Sequence, residues 1–172
     1  LVFCTSDSQA QSLEGQFDVV EKILKYSKDL GVRTVVAVGG YSSSSGRLKA
    51  VCVATSKELL ERFVSAGASP SPLGNPIVGL AGVTLGMAKL MGVDAACILG
   101  ETTGHLPDPE SAKHILNVLQ NFLGVTLDLR PLDKEIEKAM GVFKQMEDVQ
   151  KEMESVTRET MEKEARKMTY IS

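Results

Sequence analysis

"IVGLAGVTLGMAKLMGVDAACILGETTGHLPDPE", residues 77–110, decides the architecture of this chain. Its first half is apolar almost all round and long enough for three turns, so it reads as a buried helix against the sheet. "VDAACIL" is too short and too uniformly apolar for a surface helix and reads as a strand buried on both faces. The chain then turns polar at "GETTGH", and Asp108 followed by Pro109 opens another helix: an N-cap, then a proline where its missing N–H is harmless. Helix, buried strand, turn and helix form the repeating unit of an α/β sheet protein.

Gly79, Gly82 and Gly86 stand at i, i+3 and i+7, which places them on one helical face. Glycine costs about 1 kcal/mol against alanine in a helix, so this face is expected to lie close against another backbone.

Outward from that core, the same grammar continues. Residues 1–5, "LVFCT", read as a buried strand. Residues 13–31 read as a helix with Phe17, Val20, Ile23, Leu24 and Leu30 on its apolar side and Gly31 as its stop. "VRTVVAV" (32–38) is a β-branched strand ending at Gly39 and Gly40, and "YSSSSGR" is a polar loop. "LKAVCVAT" (48–55) is a third strand, Ser56 caps a helix stopped by Gly67, and "ASPSPLGNP" is an irregular connection. After the quoted stretch, Ala112, Ile115, Leu116, Leu119 and Phe122 or Leu123 line one side of a helix ended by Gly124, and "VTLDL" is a short last strand. The expected fold is a three-layer α/β sandwich about a mixed or mostly parallel sheet, over residues 1–130.

From Pro131 to Met168 the pattern changes. Ile136, Ala139, Phe143, Met146, Val149, Met153, Val156, Met161, Ala165 and Met168 recur mostly at steps of three and four, near the coiled-coil period. A continuous helix of that length would run about 55 Å, more than one domain can cover. Residues 131–168 are therefore read as an oligomerisation helix, with Phe143, Met146, Val149, Met153, Val156 and Met161 at the interface. Residues 169–172 form a tail.

Composition narrows the chemistry. The chain of 172 residues is 43% hydrophobic and 24% charged, with a formal charge of −3. Nothing there attracts nucleic acid, and no apolar run reaches the ~20 residues that span a bilayer. Cys4, Cys52 and Cys97 each sit in an apolar run without paired spacing, as buried thiols of a reducing cytoplasm would. No phosphate-loop or dinucleotide fingerprint is present, nor the ligand spacing of a metal site, so no cofactor or metal is expected. His114, on a helix, is expected at the surface without a role. In α/β folds ligands collect beyond the carboxyl ends of the strands. That rule makes a candidate cleft of Asp7, Gln9, Gly39, Gly40, Tyr41, Glu101, Thr102 and His105, with Glu101 and His105 as an acid–base pair if the protein is an enzyme.

"DSQAQSLEGQF", "VGGY" and the glycine helix with its "LGET–G–PDP" turn resemble the archaeal branch of the proteasome assembly chaperone family, over about residues 3–132. Ala10 and Thr103 stand where proline is frequent in that family, and His105 where an aromatic is usual. The resemblance implies a nucleoside-phosphorylase-like fold without established catalysis, self-association, and binding to proteasome α-subunits. It also implies further chain before Leu1, in keeping with the abrupt apolar start. Some archaeal members dock through a C-terminal hydrophobic–tyrosine–any tripeptide. The sequence here ends "MTYIS", with Tyr170 third from last, and does not match it. The leading expectation is a non-catalytic assembly factor that self-associates. The alternative is a small-molecule hydrolase or phosphorylase-like enzyme at the strand-end rim.

Overall fold

The computed structural model describes residues 1–42, 50–72, 77–102, 107–142, 144–145, 149, 151 and 153. Its helices are Leu13–Asp29 (α1), Lys57–Ser65 (α2), Leu80–Leu90 (α3) and Pro109–Leu123 (α4), and its strands Thr34–Ser42 (β1), Ala50–Ala54 (β2), Ser69–Pro70 (β3) and Asp94–Thr102 (β4). Residues 130–142 form a further helix, α5. The chain divides into two units, Leu1–Leu129 and Arg130–Ser172.

Helices α1 to α4 all stop by the same device. Gly31, Gly67, Gly92 and Gly124 all have positive φ. Past each glycine, the amide of the next residue reaches back five positions: Val32 to Ser27 O, Ala68 to Phe63 O, Val93 to Ala88 O and Val125 to Gln120 O, at 2.9–3.0 Å. This is the Schellman closure, for which glycine pays no Cβ penalty. Three of the starts are equally legible. Ser12, Ser56 and Asp108 accept from the amides of Gly15, Leu59 and Ser111 at 3.0, 3.3 and 2.8 Å.

The sheet is mixed, in the order β1-β4-β2-β3, with β1 parallel to β4 and β2 antiparallel to it. Successive residues of β4 face opposite layers. Ala95 meets Val20, Leu24 and Ala88 of α1 and α3, while Ala96 and Ile98 meet Leu59, Phe63, Ile115 and Val118 of α2 and α4. Helices thus cover both faces, as expected. The Phe63 and Phe122 rings stack 4.0 Å apart, joining α2 to α4.

Several expectations are corrected. Residues 1–6 have no regular structure, and Leu1, Val2, Phe3 and Cys4 are exposed. A strand exists only through a neighbour's hydrogen bonds, which an apolar pattern cannot report. For the same reason "VTLDL" is not a strand. β1 and β4 run past their glycines, because Gly39 pairs with Leu99, Gly40 with Gly100, Tyr41 with Glu101 and Ser42 with Thr102. Phe17 lies on the expected side of α1 yet stays half exposed, and only Val20 and Leu24 are fully buried there. On α4 the buried line runs through Ser111, Ile115 and Val118 rather than Ala112 and Leu116.

The glycine face dissolves into three separate roles. Gly79 is the N-cap of α3, at φ 76°. A Cβ on Gly82 would collide with the Ile77 carbonyl oxygen, and Gly86 meets nothing. The close approach is therefore local, at the entry to the helix.

In the second unit, helical residues continue through 144, 145, 149, 151 and 153. Val149 and Met153 are exposed. Phe143, Met146, Val156 and Met161 lie outside the described residues, as does the expected helix beyond Met153.

Candidate functional site

Short connections fold α1 and α3 back antiparallel to β1 and β4. Lys28 Nζ, in the last turn of α1, donates to Met91 O at the end of α3 at 2.8 Å, tying the far ends of these helices together. Their N-termini accordingly lie at the carboxyl ends of β1 and β4, where α4 also begins. Gln9 approaches the start of α3, with its Oε1 3.8 Å from where a Cβ on Gly79 would stand. Gly39, Gly40, Tyr41, Glu101 and Thr102 of the candidate cleft lie at these strand ends, on β1 and β4.

At its centre Tyr41 is the register partner of Glu101. Glu101, the residue before the end of β4, is only 3% exposed. Burial, and next the neighbouring Glu101 carboxylate, push the Tyr41 phenol above its ordinary 10.0. The phenol is thus held as a neutral hydrogen-bonding group rather than a base.

The glycines beside this pair act by absence. A Cβ on Gly39 would press Leu99 Cδ2 at 3.2 Å, and one on Gly40 would press Thr102 Cγ2 at 3.1 Å. They let β1 lie flush against β4 up to the rim. Gly100 is tighter still, since a Cβ there would collide with Ser111 Oγ in the first turn of α4.

Of the sequence candidates, the structure brings Gly39, Gly40, Tyr41, Glu101 and Thr102 together on two paired strands. Asp7 is exposed, and Gln9 sits by α3 instead. His105 lies outside the described residues, so the Glu101–His105 acid–base pair does too. Asp108 spends its carboxylate on the Ser111 amide. Among the described residues, no group of three or more His, Cys, Asp or Glu side chains is placed to hold a metal ion. No helix among them is long and apolar enough to cross a membrane.

The thiols are displaced from chemistry by burial. Cys52 is pushed up to about 12, by desolvation first and by Cys97 second, and desolvation lifts Cys97 to about 11. Neither supplies a thiolate near neutral pH.

Sequence reasoning also missed a polar pocket on the α2/α4 side. It has a volume of about 220 Å³, and His114, Asn117 and Asn121 line it. The signal was present as three polar residues at helical spacing on α4, beside an apolar stripe of which Ile115, Leu119 and Phe122 pack in the core.

Comparison with known proteins follows the same outline. The profile described as the PAC2 family matches residues 1–147. The chain is 29% identical over 153 residues to an uncharacterised protein of Methanocaldococcus jannaschii, covering 88% of this chain and 58% of that one. Among solved structures it is similar to Pyrococcus furiosus PbaB, an archaeal proteasome activator. The identity is 28% and the TM-score 0.74, over 82% of this chain and 62% of that chain. It is also similar to Pyrococcus furiosus PbaA, an archaeal homologue of proteasome-assembly chaperone, at 25% identity and a TM-score of 0.68, over 81% and 64% of the two chains. The chain spans less than two thirds of the length of each of these relatives.

Proposed function

The chain belongs to the PAC2 family, and on that footing we propose that it is a proteasome-assembly-chaperone-like protein that self-associates and docks on proteasome α-subunits in the cytoplasm. One observation carries the reading: the likeness to PbaB, at 28% identity and a TM-score of 0.74. In this role the α/β unit is a rigid body, and the apolar stripe of the second unit mediates association. Val149 and Met153, both exposed, belong to that stripe. Burying such side chains against another copy contributes about 1.5–3 kcal/mol each when complete. Two buried, reduced thiols, Cys52 and Cys97, suit the reducing cytoplasm.

Two measurements test it. Sedimentation equilibrium should give an oligomer for the whole chain and a smaller species for a chain ending at Met146. A single-copy mass at micromolar concentration for both ends the self-association claim. Immobilised protein should retain purified proteasome α-subunits, and failure to retain them at low and moderate salt ends the docking claim.

The burial of Glu101 beside Tyr41 favours a second reading, small-molecule turnover at the rim. Under it, Glu101→Gln abolishes turnover of a hydrolysable ester or nucleoside panel and leaves the oligomer intact. No turnover by the parent protein on such a panel removes that reading.

A further inference from the structure

Helix α1 carries two apolar lines. Val20 and Leu24 point into the core and are fully buried. Val19, Ile23, Tyr26 and the C-cap Leu30 form the second line. At about 100° per residue it lies roughly a third of a turn from the core line, on the flank opposite Lys28. Lys28 reaches Met91 at the end of α3, so the second line faces away from α3. Val19, Tyr26 and Leu30 are exposed, and Ile23 is half-buried.

This side of the first unit is otherwise bare. The cluster around Val20 and Leu24 reaches Val35 of β1 and Ala95 of β4 but no residue of β2, so α1 lies at the β1 end of the sheet. There β1 is the outermost strand, and no described residue pairs with its outer edge. From Thr34 to Ser42 it carries no charge, and Val38 is exposed. Charge, proline or a cover ordinarily guards such an edge.

The spacing says what fits. From Val19 to Leu30 the steps are four, three and four, the same from either end, and they are the steps of a coiled-coil seam. A second α1 laid antiparallel about a two-fold axis sets Val19 against Leu30 of the second copy, and Ile23 against Tyr26 of the second copy. That is the reciprocity an isologous contact requires. The charges obey the same symmetry. Lys22 and Asp29, both exposed, border the line on one side. Neither makes an ion pair among the described residues, whereas Lys25 is held by Glu21. In the antiparallel arrangement Lys22 comes beside Asp29 of the second copy, and Asp29 beside Lys22 of the second copy. A parallel arrangement would bring like charges together. Because α1 runs antiparallel to β1, the same axis also sets the two β1 edges antiparallel.

We infer that a second copy of this chain docks on the outer flank of α1, the two α1 helices antiparallel through Val19, Ile23, Tyr26 and Leu30, with reciprocal Lys22–Asp29 pairs. This surface belongs to the first unit. It rests neither on the chaperone reading nor on the apolar stripe of the second unit.

Sedimentation equilibrium of the full chain tests it by charge reversal at exposed positions that leave the core alone. Lys22→Glu and Asp29→Lys should each weaken self-association about tenfold, since both symmetry-related pairs turn repulsive. An equimolar mixture of the two variants restores opposite charges across the axis in both pairs, and should associate within about threefold of the parent. An interaction inside one copy cannot be rescued by mixing. A parent chain that weighs as one copy at about 100 µM, reversals that change nothing, or a mixture as weak as its components would each overturn the assignment. Val149→Glu separates this surface from that of the second unit. Association lost in that variant but indifferent to Lys22→Glu overturns the α1 contact. Association lost with Lys22→Glu and kept with Val149→Glu upholds it and removes the stripe, and loss in both upholds both surfaces.

Discussion

Gly100 of β4 lies directly beneath Ser111 in the first turn of α4, so close that a Cβ on Gly100 would collide with the Ser111 hydroxyl oxygen. The same Cβ would meet Ile115 Cδ1 at 3.0 Å, and Ser111 and Ile115 are both buried. Neither neighbour has room to retreat. Gly100→Ala should therefore destabilise the protein by about 2 kcal/mol, lowering the Tm by roughly 4–8 °C. Urea unfolding measures it, and a loss below about 0.5 kcal/mol would mean that α4 shifts freely on the sheet.

Gly86 looks no different in the sequence, yet it is exposed in the interior of α3 with nothing near its added Cβ. Gly86→Ala should raise stability by about 1 kcal/mol, the ordinary helical preference for alanine. The opposite signs of these two glycine substitutions are a sharp check on the layer packing.

The Asp108 carboxylate caps α4, 2.8 Å from the Ser111 amide. Asp108→Ala should cost about 1 kcal/mol in chemical denaturation, and Asp108→Asn, which keeps a capping oxygen, much less. A cap is the wrong description if both variants lose equally.

The thiols give a pH dependence of known sign. Cys52 and Cys97 ionise in the folded protein only at about 12 and 11, against 9.0 for an unhindered thiol. Below pH 9 both states keep their protons and stability is indifferent to these groups. Above it the unfolded chain releases protons first, so stability should fall as pH rises from about 9 towards 12. In Cys97→Ala the decline should be shallower. At pH 8, Ellman's reagent should label exposed Cys4 quickly and the other two only after denaturant is added.

Much of the secondary structure was written locally. Ser56 and Asp108 at the starts, and Gly31, Gly67 and Gly124 at the stops, act through bonds spanning five residues or fewer, so a linear reading recovers them. β-branched and alanine-rich runs likewise marked β1, β2 and β4. With those boundaries the alternation of helix and strand specified helical layers on both faces of one sheet.

What the sequence withheld depends on partners distant in the chain. The apolar run at 1–5 is no strand, because no described residue pairs with it. Gly39–Ser42 and Gly100–Thr102 are strand, because they pair with each other. Three glycines at helical spacing became a cap, a close contact and an exposed position, since only the neighbours in space tell them apart. The rim shows the same division. Gly39–Tyr41 and Glu101–Thr102 could be placed at strand ends by pattern, whereas the burial of Glu101 beside its register partner Tyr41 exists only once the layers close. Local hydrogen bonds set the vocabulary of this protein, and long-range packing assigned each side chain its neighbours.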